Sequence, residues 1–405
     1  ASSSGTGAAI VPFTFDANPN AAARTGAITL DSGVALSVTQ AGTNYIAPGP
    51  VVALVQAGLA DPSGVAVDSS GNVYIADTGN NAIQEWNAAT QQVTALVSTG
   101  LAGPSGVAVD SSGNVYIADT GNNAVKEWSA ATQQVGTLVS NGLNQPLAVA
   151  VDSSGNVYIA DSQNNAIEKW SAATQQMSAL VSTGLNNPSG VAVDAAGNVY
   201  IGDTGNNAVK QWSAATQQVS TLVSTGLNQP AGVAVDGSGN VYIADSQNNA
   251  IEQWSAATQQ VTALVSTGLN RPAGVAVDGS GNVYIADTAN NAAEEMPCVY
   301  VGPASLTEPV TAGSDALLAV VPASTSLVGI FAPASDQGWL TIGAVANGVV
   351  NFAFTANPST AARTAHVIVV GQQIGVTQAG LTVQSIAFGA LSNQAFGSAP
   401  FSVSA

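Results

Sequence analysis

The sequence predicts an all-β protein in which a six-bladed β-propeller lies between β-sandwich modules. Three observations lead to this prediction: a 42-residue unit that recurs six times between about residues 51 and 296, four strand-like segments inside each unit, and related strings near the two ends of the chain. Self-similarity at a fixed period is typical of repeat architectures, so the repeat decides the fold class.

Two motifs define the repeat: Gly-Val-Ala-Val-Asp, once Ala-Val-Ala-Val-Asp, and Tyr-Ile-Ala-Asp, once Tyr-Ile-Gly-Asp. The first motif ends at Asp68, Asp110, Asp152, Asp194, Asp236 and Asp278. The second motif ends at Asp77, Asp119, Asp161, Asp203, Asp245 and Asp287. A large apolar residue follows each copy, at Trp86, Trp128, Trp170, Trp212, Trp254 and Met296.

Each unit contains four short strands separated by turns. In the first unit we expect strands at 64–68, 73–76, 82–86 and 93–98, because runs of apolar residues, rich in β-branched and aromatic side chains, lie between turns of Ser, Gly and Asn. Four strands in about 42 residues are the unit of a propeller blade. A parallel solenoid is the competing layout, but its coils are usually shorter and lack three tight turns per repeat.

The ends of the array predict a closed ring. The fourth-strand pattern also occurs at residues 51–56, ahead of the first complete unit, whereas the sixth unit loses its pattern after Met296. We therefore expect residues 51–56 to pair with residues 292–296 and to complete the sixth blade. This closure removes the open strand edges of the ring. The propeller is predicted to span residues 51–300.

Composition excludes several function classes. The formal net charge is −18, with 6 basic against 24 acidic side chains, which argues against a nucleic-acid partner. Cys298 is the only cysteine, so a disulfide framework within the chain is excluded. The longest apolar run, 316–321, is far too short for insertion into a membrane. No signal peptide opens the sequence, so we expect any export signal to have been removed or to lie outside it.

The repeat resembles a known family. The strings Pro62-x-Gly64-Val-Ala-Val-Asp68, Gly71-Asn72-Val-Tyr-Ile-Ala-Asp77 and Asn81-Ala-Ile-Gln-Glu-Trp86 are similar to the NHL repeat, and the resemblance covers all six units. It implies a six-bladed propeller that binds partners, with a few lyase-type enzymes among the relatives. Many members carry a basic residue after the turn Asn, and its absence argues against the RNA-binding version of the fold. This chain has Ala there, at Ala82, Ala124, Ala166, Ala208, Ala250 and Ala292.

The flanks share a second module. Phe13-Thr-Phe-Asp-Ala-Asn-Pro19 and Val38-Thr-Gln-Ala-Gly42 recur as Phe352-Ala-Phe-Thr-Ala-Asn-Pro358 and Val376-Thr-Gln-Ala-Gly380. Their alternation between turn residues predicts an antiparallel sandwich. They resemble the BACON module, an immunoglobulin-like domain common in exported bacterial proteins; its name proposes carbohydrate binding, but many copies look like spacers. We expect a complete module at 304–380, the second half of another at 1–44 and a strand-rich tail at 381–405.

The acids that end the first motif are the candidate metal ligands: Asp68, Asp110, Asp152, Asp194, Asp236 and Asp278. Two interpretations stay open, since such a carboxylate either caps the following turn by accepting its N–H groups or binds Ca²⁺, which prefers six to eight oxygen ligands. One carboxylate per loop is few for calcium. We therefore predict no cofactor, with calcium as the alternative. The acids of the second motif are expected to close the next turn together with Asn.

The remaining polar and aromatic residues are predicted to be structural. His366 is expected on the surface of a strand and Cys298 as a small buried side chain. The Trp series is expected to pack between blades rather than to stack on sugars. Glu85, Lys126 and Glu127 vary between repeats, which indicates solvated positions. No catalytic residue is predicted, because the site-like features are repeated six times while a catalytic site normally breaks such symmetry.

The predicted function is a non-catalytic structural or adhesive protein, extracellular or at the cell surface and of bacterial secreted type. The first sandwich lacks a counterpart of about residues 306–339, so we expect the tail of one copy to add strands to the next, giving a head-to-tail fibre or stalk. That 1–405 belongs to a longer polypeptide is the open alternative. The contacts would be Phe13, Phe15, Ile28 and Leu36 on one side and Val383, Ile386, Phe388, Phe401 and Val403 on the other. A glycan- or protein-binding propeller module, calcium-dependent or not, is the second function.

Overall fold

The part of the chain that the structure describes is built from strands, turns and irregular loops. A computed structural model describes residues 16–29, 35–45, 51–317, 320–322 and 325–383. The all-β prediction is confirmed. Within the described residues, the helical segments are short 3₁₀ turns at Thr78–Asn80, Thr120–Asn122, Ser162–Asn164, Thr204–Asn206, Ser246–Asn248, Thr288–Asn290 and Gly329–Phe331. None of the described helices has the length and apolarity that crossing a bilayer requires.

Three strands precede the first complete blade: β1 (Arg24–Thr29), β2 (Ala35–Gln40) and β3 (Val52–Val55). β1 and β2 form an antiparallel hairpin in which Ile28 lies opposite Leu36. β3 belongs to the propeller, although it lies ahead of the first repeat.

Six antiparallel sheets, each of four strands, form the blades. Blade 1 contains β4 (Pro62–Val67), β5 (Val73–Asp77), β6 (Ala82–Asn87) and β7 (Gln92–Val97); blade 2 contains β8 (Pro104–Val109), β9 (Val115–Asp119), β10 (Ala124–Ser129) and β11 (Gln134–Val139). Blade 3 contains β12 (Pro146–Val151), β13 (Val157–Asp161), β14 (Ala166–Ser171) and β15 (Gln176–Val181); blade 4 contains β16 (Pro188–Val193), β17 (Val199–Asp203), β18 (Ala208–Trp212) and β19 (Val219–Val223). Blade 5 contains β20 (Pro230–Val235), β21 (Val241–Asp245), β22 (Ala250–Trp254) and β23 (Val261–Val265); blade 6 contains β24 (Pro272–Val277), β25 (Val283–Asp287) and β26 (Ala292–Met296), and β3 is its fourth strand.

The blades are apolar on both faces because each one packs between two neighbours. Every residue of β5, from Val73 to Asp77, is buried, and the second strand of every other blade repeats this pattern. Tyr74 and Ile83 of blade 1 pack against Val115 and Ile117 of blade 2. The core of the propeller is therefore a ring of similar clusters between blades.

The ring closes through β3. In the structure β3 pairs antiparallel with β26, with Val55 opposite Ala293 and Val52 opposite Glu295. The innermost strands also contact one another around the ring, including β24 with β4. Leu54 and Val55 are buried in this junction, so closure covers apolar surface as well as a strand edge.

A two-sheet sandwich follows the propeller. Its strands are β27 (Ser305–Glu308), β28 (Gly313–Ala316), β29 (Ala334–Ser335), β30 (Leu340–Ala346), β31 (Val349–Phe354), β32 (Arg363–Val369) and β33 (Gln372–Gln378). One sheet has the order β27-β33-β32-β29, with β27 parallel to β33, and the other has the order β28-β31-β30. Leu340, Phe352, Val367 and Ile374 are buried between the two sheets.

The N-terminal hairpin repeats the local contacts of β32 and β33. Arg24 Nε donates to Gln40 Oε1 and Arg363 Nε to Gln378 Oε1, both at 2.8 Å. Asn18 and Asn357 likewise bridge two backbone carbonyls on either side of each hairpin. The environments differ, since β33 also pairs with β27, whereas β2 pairs only with β1 among the described strands.

Candidate functional site

The six acids that end the first motif cap the turn after the innermost strand. Asp68 Oδ1 accepts the N–H groups of Ser70 (2.8 Å) and Asn72 (2.9 Å), and Oδ2 accepts Asn72 Nδ2 (2.9 Å) and the Tyr74 hydroxyl (3.4 Å). The same four bonds recur at Asp110, Asp152, Asp194, Asp236 and Asp278. Both oxygens of each carboxylate are thus engaged by protein donors. Within the described part of the chain, no group of three or more Asp, Glu, His or Cys side chains could hold a metal ion.

The acids of the second motif are fully buried and hold two loops together. Asp77 Oδ1 accepts the N–H of Ala60 at 2.8 Å, and Oδ2 accepts Asn80 Nδ2 at 2.9 Å. Equivalent bonds form in every blade, at Asp119, Asp161, Asp203, Asp245 and Asp287. These carboxylates meet the requirement that a buried polar group be hydrogen-bonded.

The second Asn of each turn links one blade to the next. Asn81 adopts the left-handed conformation (φ 54°), which Asn tolerates better than most residues, and its Oδ1 accepts the N–H of Gly103 at 2.7 Å. At the junction of the ring, Asn291 accepts the N–H of Asp61 at 2.8 Å. The repeated Asn-Asn pair therefore has a structural role at every blade boundary.

Beside each buried Asp lies one side chain that changes from blade to blade. These variable-position side chains are Gln84, Lys126, Glu168, Lys210, Glu252 and Glu294. Gln84 Nε2 donates to Asp77 Oδ2 at 3.0 Å, and Lys126 Nζ lies 2.7 Å from Asp119 Oδ2. The prediction that Lys126 is solvated is wrong, because its side chain is only 14% exposed and its partner is fully buried. Asp119 lies on the adjacent strand β9, and the variation of the Lys126 position between repeats gave no sign of this pairing.

Three blades place a glutamate at the variable position, next to the buried Asp. Burial, and after it the neighbouring carboxylate, raises the pKa of Glu168 and Glu252, and raises that of Glu294 to about 7. Among the described residues, nothing donates a hydrogen bond to the buried Oε2 of Glu294. Blade 6 thus carries an acid pair where blade 2 carries an ion pair.

The axis of the ring is a narrow channel of about 230 Å³, lined by the innermost strand of each blade. In blade 1 the close approach of blade 2 favours glycine, because a Cβ on Gly64 would lie 2.5 Å from the carbonyl oxygen of Ser105, whereas blade 3 has Ala148 at the equivalent position. Leu147 is the bulkiest side chain on this lining, and Ser, Gly, Ala and Val supply the rest. The described lining therefore offers mainly backbone and small side chains.

His366 has a partner that sequence reasoning missed. Its Nδ1 lies 2.7 Å from Asp336 Oδ2, and both side chains are more than one-third exposed. This hydrogen bond lowers the pKa of Asp336. The two residues are 30 positions apart and meet where β29 pairs with β32, so the sequence around each of them did not predict their contact.

The other predicted residues are placed as follows. Trp86 is buried between blades 6 and 1, and Trp128, Trp170, Trp212 and Trp254 pack partly buried at the next boundaries. Cys298 is half-buried, and burial raises its pKa. Ile28 is half-buried in β1, and the side chain of Val383 is 78% exposed. The side chain of Leu36 and all of Phe13, Phe15, Ile386, Phe388, Phe401 and Val403 lie outside the described residues.

One cleft breaks the rotational symmetry of the propeller. This junction cleft, of about 280 Å³, lies between blade 6, the Ser69–Gly71 turn of blade 1 and the sandwich. Phe331 of the sandwich packs against the blade 6–blade 1 core, and Gln91 exchanges hydrogen bonds with the backbone of Val328 (3.1 Å) and Ile330 (2.9 Å). The cleft is lined by Asp278, Asn282, Tyr284, Glu295, Thr325 and Phe331, among others.

Glu295 is the unusual group of the junction cleft. It occupies the same repeat position as Glu85, which is half-buried, but Glu295 is only 7% exposed. Burial, and after it Asp278, raises the pKa of Glu295 to about 7. A raised pKa in a cleft is typical of functional sites. The sequence indicated a solvated position because the covering sandwich residues lie far away along the chain.

The comparisons with known proteins agree with this architecture. The NHL repeat family model matches residues 59–86, 101–128, 143–170, 185–212, 227–254 and 269–292. The BACON family model, described as a proposed binding domain, matches residues 332–379. The chain contains six NHL repeats and a BACON domain. The chain has no significant match among curated proteins.

Solved structures support the NHL propeller at the level of the fold. A protein of unknown function from Bacteroides thetaiotaomicron is 18% identical, with a TM-score of 0.54 over 70% of this chain and 83% of that one. A gluconolactonase from Xanthomonas campestris is 16% identical, with a TM-score of 0.53 over 61% of this chain and 89% of that one. At these identities the likeness shows a shared propeller fold and carries no activity across.

Proposed function

We propose that the chain is a non-catalytic structural or adhesive protein of the bacterial cell exterior, in which a rigid propeller is held between sandwich modules. The observation that carries this proposal is the use of the repeated acids. The carboxylate oxygens of Asp68, Asp77 and their equivalents accept hydrogen bonds from turns and loops of the blades. A low content of Lys and Arg, 6 in 405 residues, would also limit trypsin-like cleavage outside the cell.

Head-to-tail assembly is the finer part of the proposal. The β1–β2 hairpin has the internal contacts of the β32–β33 hairpin, and β33 accepts a parallel strand on the edge that corresponds to the outer edge of β2. A groove of about 730 Å³ runs along the N-terminal hairpin and is lined by Ile28, Val38, Tyr45 and Tyr300. We infer that a strand from a second copy fills this position by strand addition.

Light scattering and electron microscopy of purified 1–405 test assembly. We expect concentration-dependent oligomers or filaments from chains of 39.9 kDa, and we expect Ile28→Asp to reduce them. Val93→Asp is the matched control, since Val93 is an exposed apolar strand residue of the propeller. A monomer at every concentration contradicts assembly, and a much larger covalent chain in native material shows that the hairpin is completed within one polypeptide.

The second candidate is a glycan- or protein-binding propeller module. The junction cleft favours it, because buried carboxyl and aromatic side chains meet there in a concave site. A glycan array with and without chelator separates the candidates. Glycan binding that chelator abolishes indicates calcium dependence, and glycan binding that persists indicates direct recognition. If no glycan binds, the glycan-binding function is excluded.

A further inference from the structure

Glu295 lines the junction cleft with a largely buried side chain. It is 7% exposed, and no described residue donates a hydrogen bond to it. Its neighbour Asp278 accepts hydrogen bonds from Ser280, Asn282 and Tyr284, so these three donors are already in use. A carboxylate that is largely removed from water is costly to ionise, and a ligand that brings a donor or a positive charge into the cleft would reduce that cost.

Blade 3 shows which group suits this position. There the residue equivalent to Glu295 is Lys169, whose Nζ lies 4.9 Å from the centre of the Tyr158 ring. The Tyr158 hydroxyl donates to Asp152 at 3.1 Å, as Tyr284 does to Asp278 at 3.2 Å. The Asp–Tyr pair of this repeat thus accommodates an ammonium group, which in blade 3 is supplied by the chain itself.

Blade 6 has the same Asp–Tyr pair, but the carboxylate of Glu295 takes the place that the ammonium of Lys169 has in blade 3. The aromatic side chains of Trp86 and Phe331 also line the cleft, and aromatic faces attract cations. The chain carries a net charge of −18, so its long-range field attracts cationic ligands. The negative net charge, the aromatic lining of the cleft and the lysine of blade 3 all favour a cationic ligand.

We propose that the junction cleft binds a primary ammonium group, held by the Glu295 carboxylate beside Asp278 and Tyr284. The ammonium belongs to a small alkylamine or to the lysine side chain of a partner protein. This site is independent of the proposed architectural role, since a fibre-forming protein and a monomer would carry it equally.

Calorimetric titration of chain 1–405 with two probes tests the proposal. The probes are n-butylammonium chloride and the peptide acetyl-Gly-Lys-Gly-amide, with n-butanol and the Gln peptide as uncharged counterparts. We expect an ammonium probe to bind and its counterpart to fail. Binding of the free amine alone indicates a small-molecule ligand, and tighter binding of the lysine peptide indicates a protein partner.

Three variants decide whether Glu295 is responsible. Glu295→Gln is expected to weaken binding at least tenfold, and Glu295→Lys to abolish it by supplying the ammonium internally as Lys169 does. Glu127→Gln is the matched control, because Glu127 has the same neighbours, Asp110 and Tyr116, outside the cleft. Thermal melting checks that each variant is folded. No binding of either ammonium probe, equal binding of an uncharged counterpart, or equal binding by Glu295→Gln overturns the proposal.

Discussion

The acid pair of blade 6 can be tested by exchanging one side chain between two repeats. Glu294 lies beside the buried Asp287, whereas blade 1 has Gln84 at the same position, donating to Asp77 at 3.0 Å. Glu294→Gln should reproduce the blade 1 arrangement in blade 6. It replaces a carboxylate that has one buried, unpaired oxygen with an amide that can donate to Asp287. We therefore expect this substitution to stabilise the propeller at neutral pH.

The magnitude follows from the pKa of Glu294. A rise from 4.5 to about 7 corresponds to about 3 kcal/mol at about 1.4 kcal/mol per pKa unit. Glu294 is only partly buried, so solvent screening reduces this to about 1–2 kcal/mol. The folded state holds the proton more tightly than the unfolded state, so wild-type stability falls as pH rises from about 4.5 to about 7 and is constant above. The gain from Glu294→Gln should therefore be near zero at pH 4 and complete at pH 8.

Thermal and urea unfolding at pH 4, 6 and 8 measure this effect. For a domain of this size, about 1–2 kcal/mol raises Tm by about 2–8 °C. Gln84→Glu is the matched control and should destabilise at pH 8 by a similar amount, with the opposite dependence on pH. A Glu294→Gln protein that is no more stable than wild type at pH 8, or equally stabilised at pH 4 and pH 8, refutes the reasoning.

The remaining predictions concern the ring. Lys126→Met leaves Asp119 buried without its ion pair and should cost about 3–5 kcal/mol in urea unfolding; a loss below about 1 kcal/mol would show that the pair is solvated. Deleting residues 51–56 exposes the edge of β26 and should cost several kcal/mol in urea unfolding; an unchanged urea midpoint would contradict this. Asn291→Ala and Asn123→Ala each remove one link between blades and should cost about 1 kcal/mol; a much larger loss at Asn291 would identify the closure as the weak boundary.

The architecture of this protein could be predicted from the sequence because its signals are local or periodic. Asp68 meets its donors Ser70, Asn72 and Tyr74 within six residues along the chain, so the motif indicated a capped turn as one of its two interpretations. The 42-residue period gave the number of blades, and the displaced fourth strand at 51–56 indicated where the ring closes. The capped turn recurs six times, which separates it from chance.

Only the tertiary structure decided which variable side chains are buried. Lys126 and Glu295 were both expected in solvent because their positions vary between repeats, yet Lys126 pairs with a buried acid and the sandwich covers Glu295. His366 and Asp336 likewise meet only through strand pairing. Burial and pKa depend on which other strands and segments remove water from a side chain, and variation between repeats does not show which side chains these are.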